Sequence, residues 1–386
     1  MAVSRLLDIP GIGVDHMGDA ADAAADPDIL RLENLDTDLR PPRVAIEATH
    51  RAIDEDSANS YLPFRGHWSL RDAAAAHVSR ISGQTYDAAT ECVSVAGGLN
   101  GITNALLATV EPGQEVVIAD PIYAGLVNRI RLAGGVPRFV RCTPDPGGWQ
   151  LDADELAAAI GPNTAAILLM GPAMPTGALL TVDHFEAIAE PVAKFSPWII
   201  YDAAMERIRF DGQAPVHPAQ HPGLSPRVIT VGSASKELRM IGWRVGWVVG
   251  PAPAIADIGL VGLTNVVCQV GIAQDAVAAA LDAPDADADV AAATRTWHER
   301  CTVVLDELEH YPCVRPDGGW SVLIDTGPLG HTPAELSARL LAKGKVAATP
   351  MTGWGPSGEA YLRLVFANEP VERLRGLGAR FEAALG

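Results

Sequence analysis

Residues 231–247 read VGSASKELRMIGWRVGW and place Lys236 in a Ser- and Gly-rich turn between two apolar segments. The chain contains four lysines, and this is the one with such surroundings. A lysine held between apolar strands is desolvated, and its neutral amine is then a nucleophile for carbonyl groups. The segment predicts a reactive amine at a strand junction, whereas a structural loop lysine is the alternative when the segment is taken alone.

Around this segment, from about residue 43 to residue 281, short apolar stretches alternate with Ala-rich helical stretches. That alternation is typical of an α/β fold with a mostly parallel sheet. Helices are predicted at residues 101–110 and 182–193, among others. Seven strands are predicted, at residues 92–95, 115–119, 137–141, 164–170, 198–201, 228–231 and 245–249.

The sequence changes character after the Asp-rich, Pro-containing segment 282–289. The residues C-terminal to this segment predict a smaller α+β domain, completed by the N-terminal residues. Its elements are a long helix, two strands and a closing helix, at residues 291–309, 320–325, 361–366 and 371–385. The predicted division is a large domain over residues 45–285 and a small domain over residues 1–44 and 286–386, in keeping with a length of 386 residues.

Composition excludes several classes of partner. The net charge is −18 at pH 7 and no cluster of Lys and Arg occurs, which argues against binding to nucleic acid. The N-terminus lacks a long apolar segment behind basic residues, so neither a signal peptide nor a membrane span is predicted. Five cysteines without metal-ligand spacing indicate reduced thiols and no metal site, and we expect a cytoplasmic protein.

Further motifs accompany the lysine segment in a definite order. They are Tyr61-x4-Gly66-x3-Leu70-Arg71, Gly97-Gly98, Asp120-Pro-x-Tyr123, Pro175-Thr-Gly177, Asp202 and Tyr361-x-Arg363. With Ser-x-Ser-Lys and Gly-Trp-Arg-x-Gly, the ensemble resembles the fold-type I aminotransferases of classes I and II, the aspartate aminotransferase superfamily. The resemblance implies the fold-type I architecture, pyridoxal 5'-phosphate as cofactor, and Lys236 as the Schiff-base lysine.

The resemblance also implies which residues hold the cofactor. Asp202 would pair with the pyridinium nitrogen and keep it protonated, and Tyr123 would stack on the ring. Taken singly, these residues would be a strand-end aspartate and a core tyrosine. The phosphate would be bound by two backbone N–H groups at a helix start and by two side chains, namely those of Gly98, Leu99, Ser233 and Arg244.

Two more residues receive roles from the resemblance. Arg363, in the apolar segment YLRLVF, would bind the substrate α-carboxylate, which suits the fork of a guanidinium group. A solvent-facing arginine at a strand edge is the alternative. Tyr61 resembles the tyrosine that reaches the phosphate of a neighbouring subunit, so a homodimer is implied.

Two positions depart from the family pattern. Met174 stands where Asn normally precedes Pro-Thr-Gly, and Met205 stands three residues after Asp202, where Tyr is normal. In the family both residues donate hydrogen bonds to the phenolic oxygen of the cofactor, whereas thioethers are only weak acceptors. Their loss is expected to raise the pKa of the Schiff base. Filling of core space is the simpler explanation of the two methionines.

Three functions are compatible with the sequence. The leading one is an aminotransferase, in which Lys236 moves the α-proton as general acid and base and a 2-oxo acid is released. The second is β- or γ-elimination, replacement or ring closure, as in enzymes similar to aminocyclopropane-carboxylate synthase, with S-adenosylmethionine as one candidate substrate. The third, a ligand sensor, is disfavoured because no basic stripe and no room for a DNA-binding domain precede Tyr61.

The side-chain pocket is expected to be bounded by residues 11–17, by Trp320, and by residues 351–355 with Trp354. These segments carry no obvious cation for a second substrate carboxylate. Aspartate and glutamate are therefore disfavoured as amino donors.

Overall fold

A computed structural model of the chain describes residues 4–7, 9, 11 and 13–386. Residue 12 of the expected pocket wall lies outside the described residues, as do residues 1–3, 8 and 10 of the predicted small domain. The described part carries both predicted groups of elements, and the exact division at residues 45–285 stays a prediction.

The described residues form fourteen β-strands. They are β1 Leu30–Arg31, β2 Cys92–Val95, β3 Glu115–Asp120, β4 Val136–Asp145, β5 Gly148–Leu151, β6 Thr164–Met170, β7 Trp198–Asp202, β8 Val228–Ser233, β9 Gly246–Val249, β10 Cys313–Val314, β11 Ser321–Asp325, β12 Val346–Ala347, β13 Thr349–Pro350 and β14 Tyr361–Val365.

The main sheet has the strand order β2-β9-β8-β7-β6-β3-β4-β5. The five strands from β8 to β4 run parallel, and β9 is antiparallel to both of its neighbours. Strands β6 and β7 read TAAILLM and WIIYD and are almost entirely buried, as expected for parallel strands covered on both faces. The predicted α/β fold with a mostly parallel sheet is confirmed.

The predicted number of seven strands is one too low. The eighth strand, β5, forms an antiparallel hairpin with β4, and this pairing extends β4 to Asp145 beyond its predicted end at residue 141. At the hairpin turn, the Gly147 N–H donates to Asp145 Oδ1 over 2.6 Å. The four residues of β5 are too few for a clear alternating pattern, although Trp149 and Leu151 both point into the core.

Helices cover the sheet and build the C-terminal part. The α-helices among the described residues are α1 Ser4–Leu7, α2 Gly13–Ala24, α3 Arg43–Ile53, α4 Trp68–Ser82, α5 Gly98–Thr109, α6 Ala124–Leu132, α7 Ala153–Ala158, α8 Val182–Phe195, α9 Ala252–Asn265, α10 Gly271–Leu281, α11 Ala286–Glu307, α12 Pro333–Arg339, α13 Val371–Leu374 and α14 Leu377–Leu385. None of them is long and apolar enough to cross a membrane.

Two predicted helices differ from the structure. The closing helix is split into α13 and α14 because Gly376 adopts φ +87°, which a right-handed helix does not allow. The long helix α11 begins at Ala286, five residues earlier than predicted. Asp287 and Asp289 lie in its first turn, where carboxylates stabilise the helix N-terminus.

A second sheet lies in the C-terminal part, with strand order β10-β11-β14-β13 and antiparallel pairing throughout. Its apolar face packs with α11 and α14 around Trp297, Trp320 and Phe381. In the main sheet, β2, β8 and β7 point the same way, so their carboxyl ends share one edge. Ligands of α/β folds bind at this edge.

Candidate active site

A cavity of about 290 Å³ opens at this edge of the main sheet. It brings together ten of the eleven residues that the sequence indicated. They are Gly98, Leu99, Tyr123, Met174, Asp202, Met205, Ser233, Lys236, Arg244 and Arg363. Nine of them lie at or shortly after the carboxyl ends of main-sheet strands β2, β3, β6, β7 and β8, and β14 of the second sheet supplies Arg363.

Lys236 lies in the turn after β8, where its Nζ donates to the Leu35 carbonyl over 2.9 Å. The same Nζ lies 5.0 Å from the centre of the Trp320 ring. Burial lowers the pKa of Lys236 to about 8, while the Asp36 carboxylate opposes that change. A substantial fraction of the amine is therefore neutral near physiological pH, as a nucleophile requires.

Asp202 is the last residue of β7 and is 5% exposed. Its Oδ1 accepts a hydrogen bond of 3.1 Å from the Ala204 N–H. Burial raises the pKa of Asp202 to about 6, and the Ala204 bond and the Lys236 charge moderate the rise. Such a buried carboxylate is stabilised by a cationic partner in the cavity.

The start of α5 packs against β8 and β9 through glycines. Gly97 has φ +83°, and a Cβ there would lie 2.6 Å from Nη2 of Arg244. A Cβ on Gly98 would lie 3.1 Å from the Cβ of Ser233. We call the four residues Gly97, Gly98, Ser233 and Arg244 the glycine cradle. The Gly97 N–H donates to the Val95 carbonyl over 2.8 Å. The N–H groups of Gly98 and of the following Leu99, with the hydroxyl and the guanidinium group of the cradle, form a donor set suited to phosphate.

Arg244 is fixed within this cradle by short-range contacts. Its backbone lies in the left-handed region at φ +54°. Its Nη1 donates to the Ile241 carbonyl over 2.9 Å and to Ser235 Oγ over 3.3 Å. The guanidinium group is thus held beside Gly97, with further N–H groups left for a ligand.

Arg363 lies in β14, which is paired on both sides, and is 1% exposed. The alternative of a solvent-facing arginine is wrong. Its Nη2 donates to the Glu33 carbonyl and, over 3.3 Å, to Thr349 Oγ1, whereas its buried Nε has no partner among the described residues. Burial lowers the pKa of Arg363 to about 10. A planar anion in the cavity can satisfy such a group.

Three methionines line the cavity, Met170, Met174 and Met205, and we call them the thioether wall. The Met174 N–H donates to the sulfur of Met170 over 3.2 Å. The sulfur of Met174 lies 3.9 Å from Nη1 of Arg363. Both positions that depart from the family pattern therefore face the cavity and offer no hydrogen-bond donor there.

Tyr61 is the one indicated residue that lies outside the cavity. It is 84% exposed, and Phe64 and Trp68 beside it are each more than half exposed. Sequence reasoning missed Asn34, Leu35 and Ile241, which also line the cavity. A main-chain carbonyl such as that of Leu35 leaves no signal in a sequence.

Known proteins share both the sequence and the fold of this chain. Residues 29–381 match the family model described as aminotransferase class I and II. The chain belongs to this family. It is 34% identical over 353 residues to the arginine–pyruvate transaminase of Pseudomonas aeruginosa. The alignment covers 89% of this chain and 87% of that protein.

Solved structures of the aminotransferase family agree. N-succinyldiaminopimelate aminotransferase of Mycobacterium tuberculosis superposes with a TM-score of 0.92 and 31% identity, covering 100% of both chains. Aspartate aminotransferase of Thermus thermophilus with maleate superposes with a TM-score of 0.92 and 27% identity, covering 100% of this chain and 99% of that one. The predictions of a fold-type I architecture, a transferase and pyridoxal 5'-phosphate as cofactor are confirmed.

The residues present fit this cofactor. The glycine cradle offers donors for its phosphate, and the buried Asp202 carboxylate offers a partner for a protonated ring nitrogen. Lys236, with its lowered pKa, lies in the same cavity. These groups therefore match the phosphate, the ring nitrogen and the aldehyde of pyridoxal phosphate.

Proposed function

We propose that this aminotransferase moves the amino group of an amino acid without a second carboxylate to a 2-oxo acid. The observation that carries the proposal is the convergence of Lys236, Asp202 and Arg363 on one cavity. When bound, pyridoxal phosphate supplies an electron-withdrawing ring that acidifies the α-carbon of the substrate.

Lys236 is the proposed catalytic amine. Its Nζ moves the proton of the substrate α-carbon, first as general base and then as general acid. The lowered pKa of about 8 suits both directions, because each protonation state is accessible near neutral pH. Burial against the Trp320 ring limits competition from water.

Asp202 and the glycine cradle are proposed to hold and polarise the cofactor. Asp202 would keep the ring nitrogen protonated through a charge-assisted bond in a buried setting. Gly98 and Leu99 would donate backbone N–H groups to the phosphate, together with Ser233 Oγ and the Arg244 guanidinium group. Tyr123, also on the cavity, would cover one face of the ring.

The preference for a side chain without a second carboxylate rests on charge. Among the described cavity residues the cations are Lys236, Arg244 and Arg363. The first two are assigned to the cofactor and Arg363 to the α-carboxylate. The remaining described lining is mainly apolar and includes Val14, Leu35 and Ile241. A second buried carboxylate would lie there without a cation, which is costly.

A homodimer is part of the proposal, with Tyr61 contributed to the cavity of the partner subunit. The exposed aromatic side chains at Tyr61, Phe64 and Trp68 support it, since such a cluster is unusual on a free surface. Mixing Tyr61→Phe with Lys236→Ala protomers tests it, because hybrids regain one intact site. Mixtures no more active than the separate variants would contradict a shared site.

Five unpaired cysteines support a reducing, cytoplasmic location.

A second function is elimination, replacement or ring closure on an activated amino acid. The thioether wall favours it, because the usual donors to the phenolic oxygen are replaced by Met174 and Met205. With these donors absent, the same cofactor would support a reaction other than transamination once the α-proton is removed. The two functions differ in their need for a 2-oxo acid.

The deciding experiment combines spectroscopy with turnover. The absorbance of the purified protein is recorded, and the twenty amino acids are then added with and without pyruvate and 2-oxoglutarate. Transamination requires the 2-oxo acid and yields a new amino acid, whereas the second function proceeds without it. Lys236→Ala should abolish turnover, and the exposed Lys343→Ala should retain it. A protein that binds no pyridoxal phosphate would contradict both functions.

A further inference from the structure

Trp354 connects two parts of the cavity that are far apart in sequence. Its ring lies 4.7 Å below the guanidinium carbon of Arg363, within the range of a cation–π contact. It also meets Tyr123 edge-on, with ring centres 5.3 Å apart and planes at 70°. Trp354 is fully buried and touches both a carboxylate-binding candidate and a ring-stacking candidate.

The loop that carries Trp354 is fixed to the turn that precedes Tyr123. The Ile122 N–H donates to the Trp354 carbonyl over 2.9 Å. Asp120 accepts hydrogen bonds from the N–H and Oγ of Ser357, the latter over 2.8 Å. Gly355, at φ +95°, lies so close that a Cβ would be 2.3 Å from Asp120 Oδ1. The position of Trp354 is therefore set from both sides.

The Trp354 indole contacts its neighbours through the faces and edges of its ring and not through a hydrogen bond. Its Nε1 is buried and has no hydrogen-bond partner among the described residues. A tryptophan retained without a partner for its N–H is expected to serve by shape and by its negative π face. Arg363 needs such support, because its Nε has no partner among those residues and burial disfavours its charge.

We propose that Trp354 is a positioning residue that holds the Arg363 guanidinium group and the Tyr123 ring in fixed relation. The proposal rests on the proposed role of Arg363 as the α-carboxylate site. Trp354 then determines how tightly a carboxylate binds and how it is oriented relative to the cofactor ring. Proton transfer itself stays with Lys236, so the effect falls on binding more than on the chemical step.

The test measures the binding of sodium propionate, a carboxylate without an amino group, to the holoenzyme. Trp354→Leu should weaken propionate binding about tenfold, while Trp354→Phe, which keeps an aromatic face, should recover most of it. For the best amino donor, KM should rise by a similar factor and kcat should change by less than about threefold. The visible circular dichroism of the bound cofactor should also change, since Tyr123 loses its neighbour.

Trp149 supplies a matched control. It is also buried, meets Tyr361 edge-on at 5.3 Å, and has an Nε1 without a partner among the described residues. Among the ring contacts of the described residues, however, it meets neither Arg363 nor Tyr123. Trp149→Leu should therefore lower stability to a similar degree and leave propionate binding unchanged. Equal losses of propionate binding in both leucine variants would overturn the proposal.

A double-mutant cycle separates this proposal from the proposed function. In an Arg363→Lys background, Trp354→Leu should have little further effect on propionate binding, because it acts through the guanidinium group. Full additivity would overturn the role of Trp354. If Arg363→Lys alone left propionate binding unchanged, the assignment of Arg363 itself would be wrong.

Discussion

The glycine cradle and the thioether wall bound the same cavity and offer opposite chemistry. The cradle presents the Gly98 N–H, the Ser233 hydroxyl and the Arg244 guanidinium group. The wall presents the sulfur atoms of Met170, Met174 and Met205, which donate no hydrogen bond. Anchoring of the cofactor and tuning of its reactivity are therefore assigned to separate parts of the cavity, and each can be changed without the other.

The two regions also differ in tolerance to change. In the cradle, one added carbon atom on Gly97 would displace the Arg244 guanidinium group, and one on Gly98 would crowd Ser233. In the wall, flexible thioethers fill space and can be exchanged for side chains of similar size. Variants of the cradle should alter cofactor affinity, and variants of the wall should alter the spectrum and the reaction of the bound cofactor.

The largest effect is expected from Gly97→Ala in the cradle. The new Cβ would lie 2.6 Å from Nη2 of Arg244 and push the guanidinium group away. Loss of a charge-assisted bond should weaken pyridoxal phosphate binding about ten- to hundredfold. Equilibrium titration of the apoenzyme, followed by absorbance, measures the effect.

Gly83→Ala is the control for the general effect of adding a Cβ at a positive φ. Gly83 also has a positive φ, +70°, but an added Cβ would meet nothing within 4 Å. Gly83→Ala should lose about 1 kcal/mol of stability, because Gly83 is in the left-handed region. Gly97→Ala should lose more, because φ +83° with ψ 163° is a conformation that essentially only glycine adopts. Only Gly97→Ala should lose affinity for pyridoxal phosphate. A similar loss of affinity in both variants would contradict the claim that a Cβ at Gly97 acts by displacing Arg244.

The cradle could be predicted from the sequence because its chemistry needs specific residue types at short spacing. Gly97-Gly98 precedes a helix, and Ser233, Lys236 and Arg244 share one segment of the chain. The parallel sheet follows equally from continuous apolar strands such as β6. Local sequence patterns determine both features, so both can be recognised from the sequence alone.

Features that depend on long-range contacts could not be predicted. The carbonyl of Leu35 approaches Lys236 across 201 residues of sequence and involves no side chain. Trp354 and Trp320 were expected as pocket walls, but the lining residues of the cavity include neither of them. The contacts of Trp354 with Arg363 and Tyr123 could not be predicted, because they need two sheets to be placed together. The short strand β5 forms only through its hairpin with β4. Tertiary packing, more than local preference, determines these features.

A smaller effect is expected from restoring donors in the thioether wall. Met174→Asn and Met205→Tyr should each stabilise the anionic phenolic oxygen of the bound cofactor and lower the pKa of its visible absorbance transition. One hydrogen bond corresponds to a shift of roughly one pKa unit. A pH titration of the absorbance measures it. Met170→Leu, which adds no donor, should leave the transition unchanged, and equal shifts in all three variants would show that packing alone is responsible.

The smallest effect is expected from Asp36→Asn, which acts on Lys236 through space. Burial lowers the pKa of Lys236, and the Asp36 carboxylate raises it, so removing that charge should lower it below about 8. Only the neutral amine captures pyridoxal phosphate, hence capture by the apoenzyme at pH 7 should accelerate by about two- to threefold. Stopped-flow absorbance measures the rate, and the rate–pH curves of Asp36→Asn and the unmodified protein should converge at high pH, where the amine is neutral in both proteins.

The variant Asp54→Asn, at an exposed position, is the control. A slower capture in Asp36→Asn would mean that Asp36 assists the cofactor directly, and an unchanged curve would mean that solvent screens its charge from Lys236.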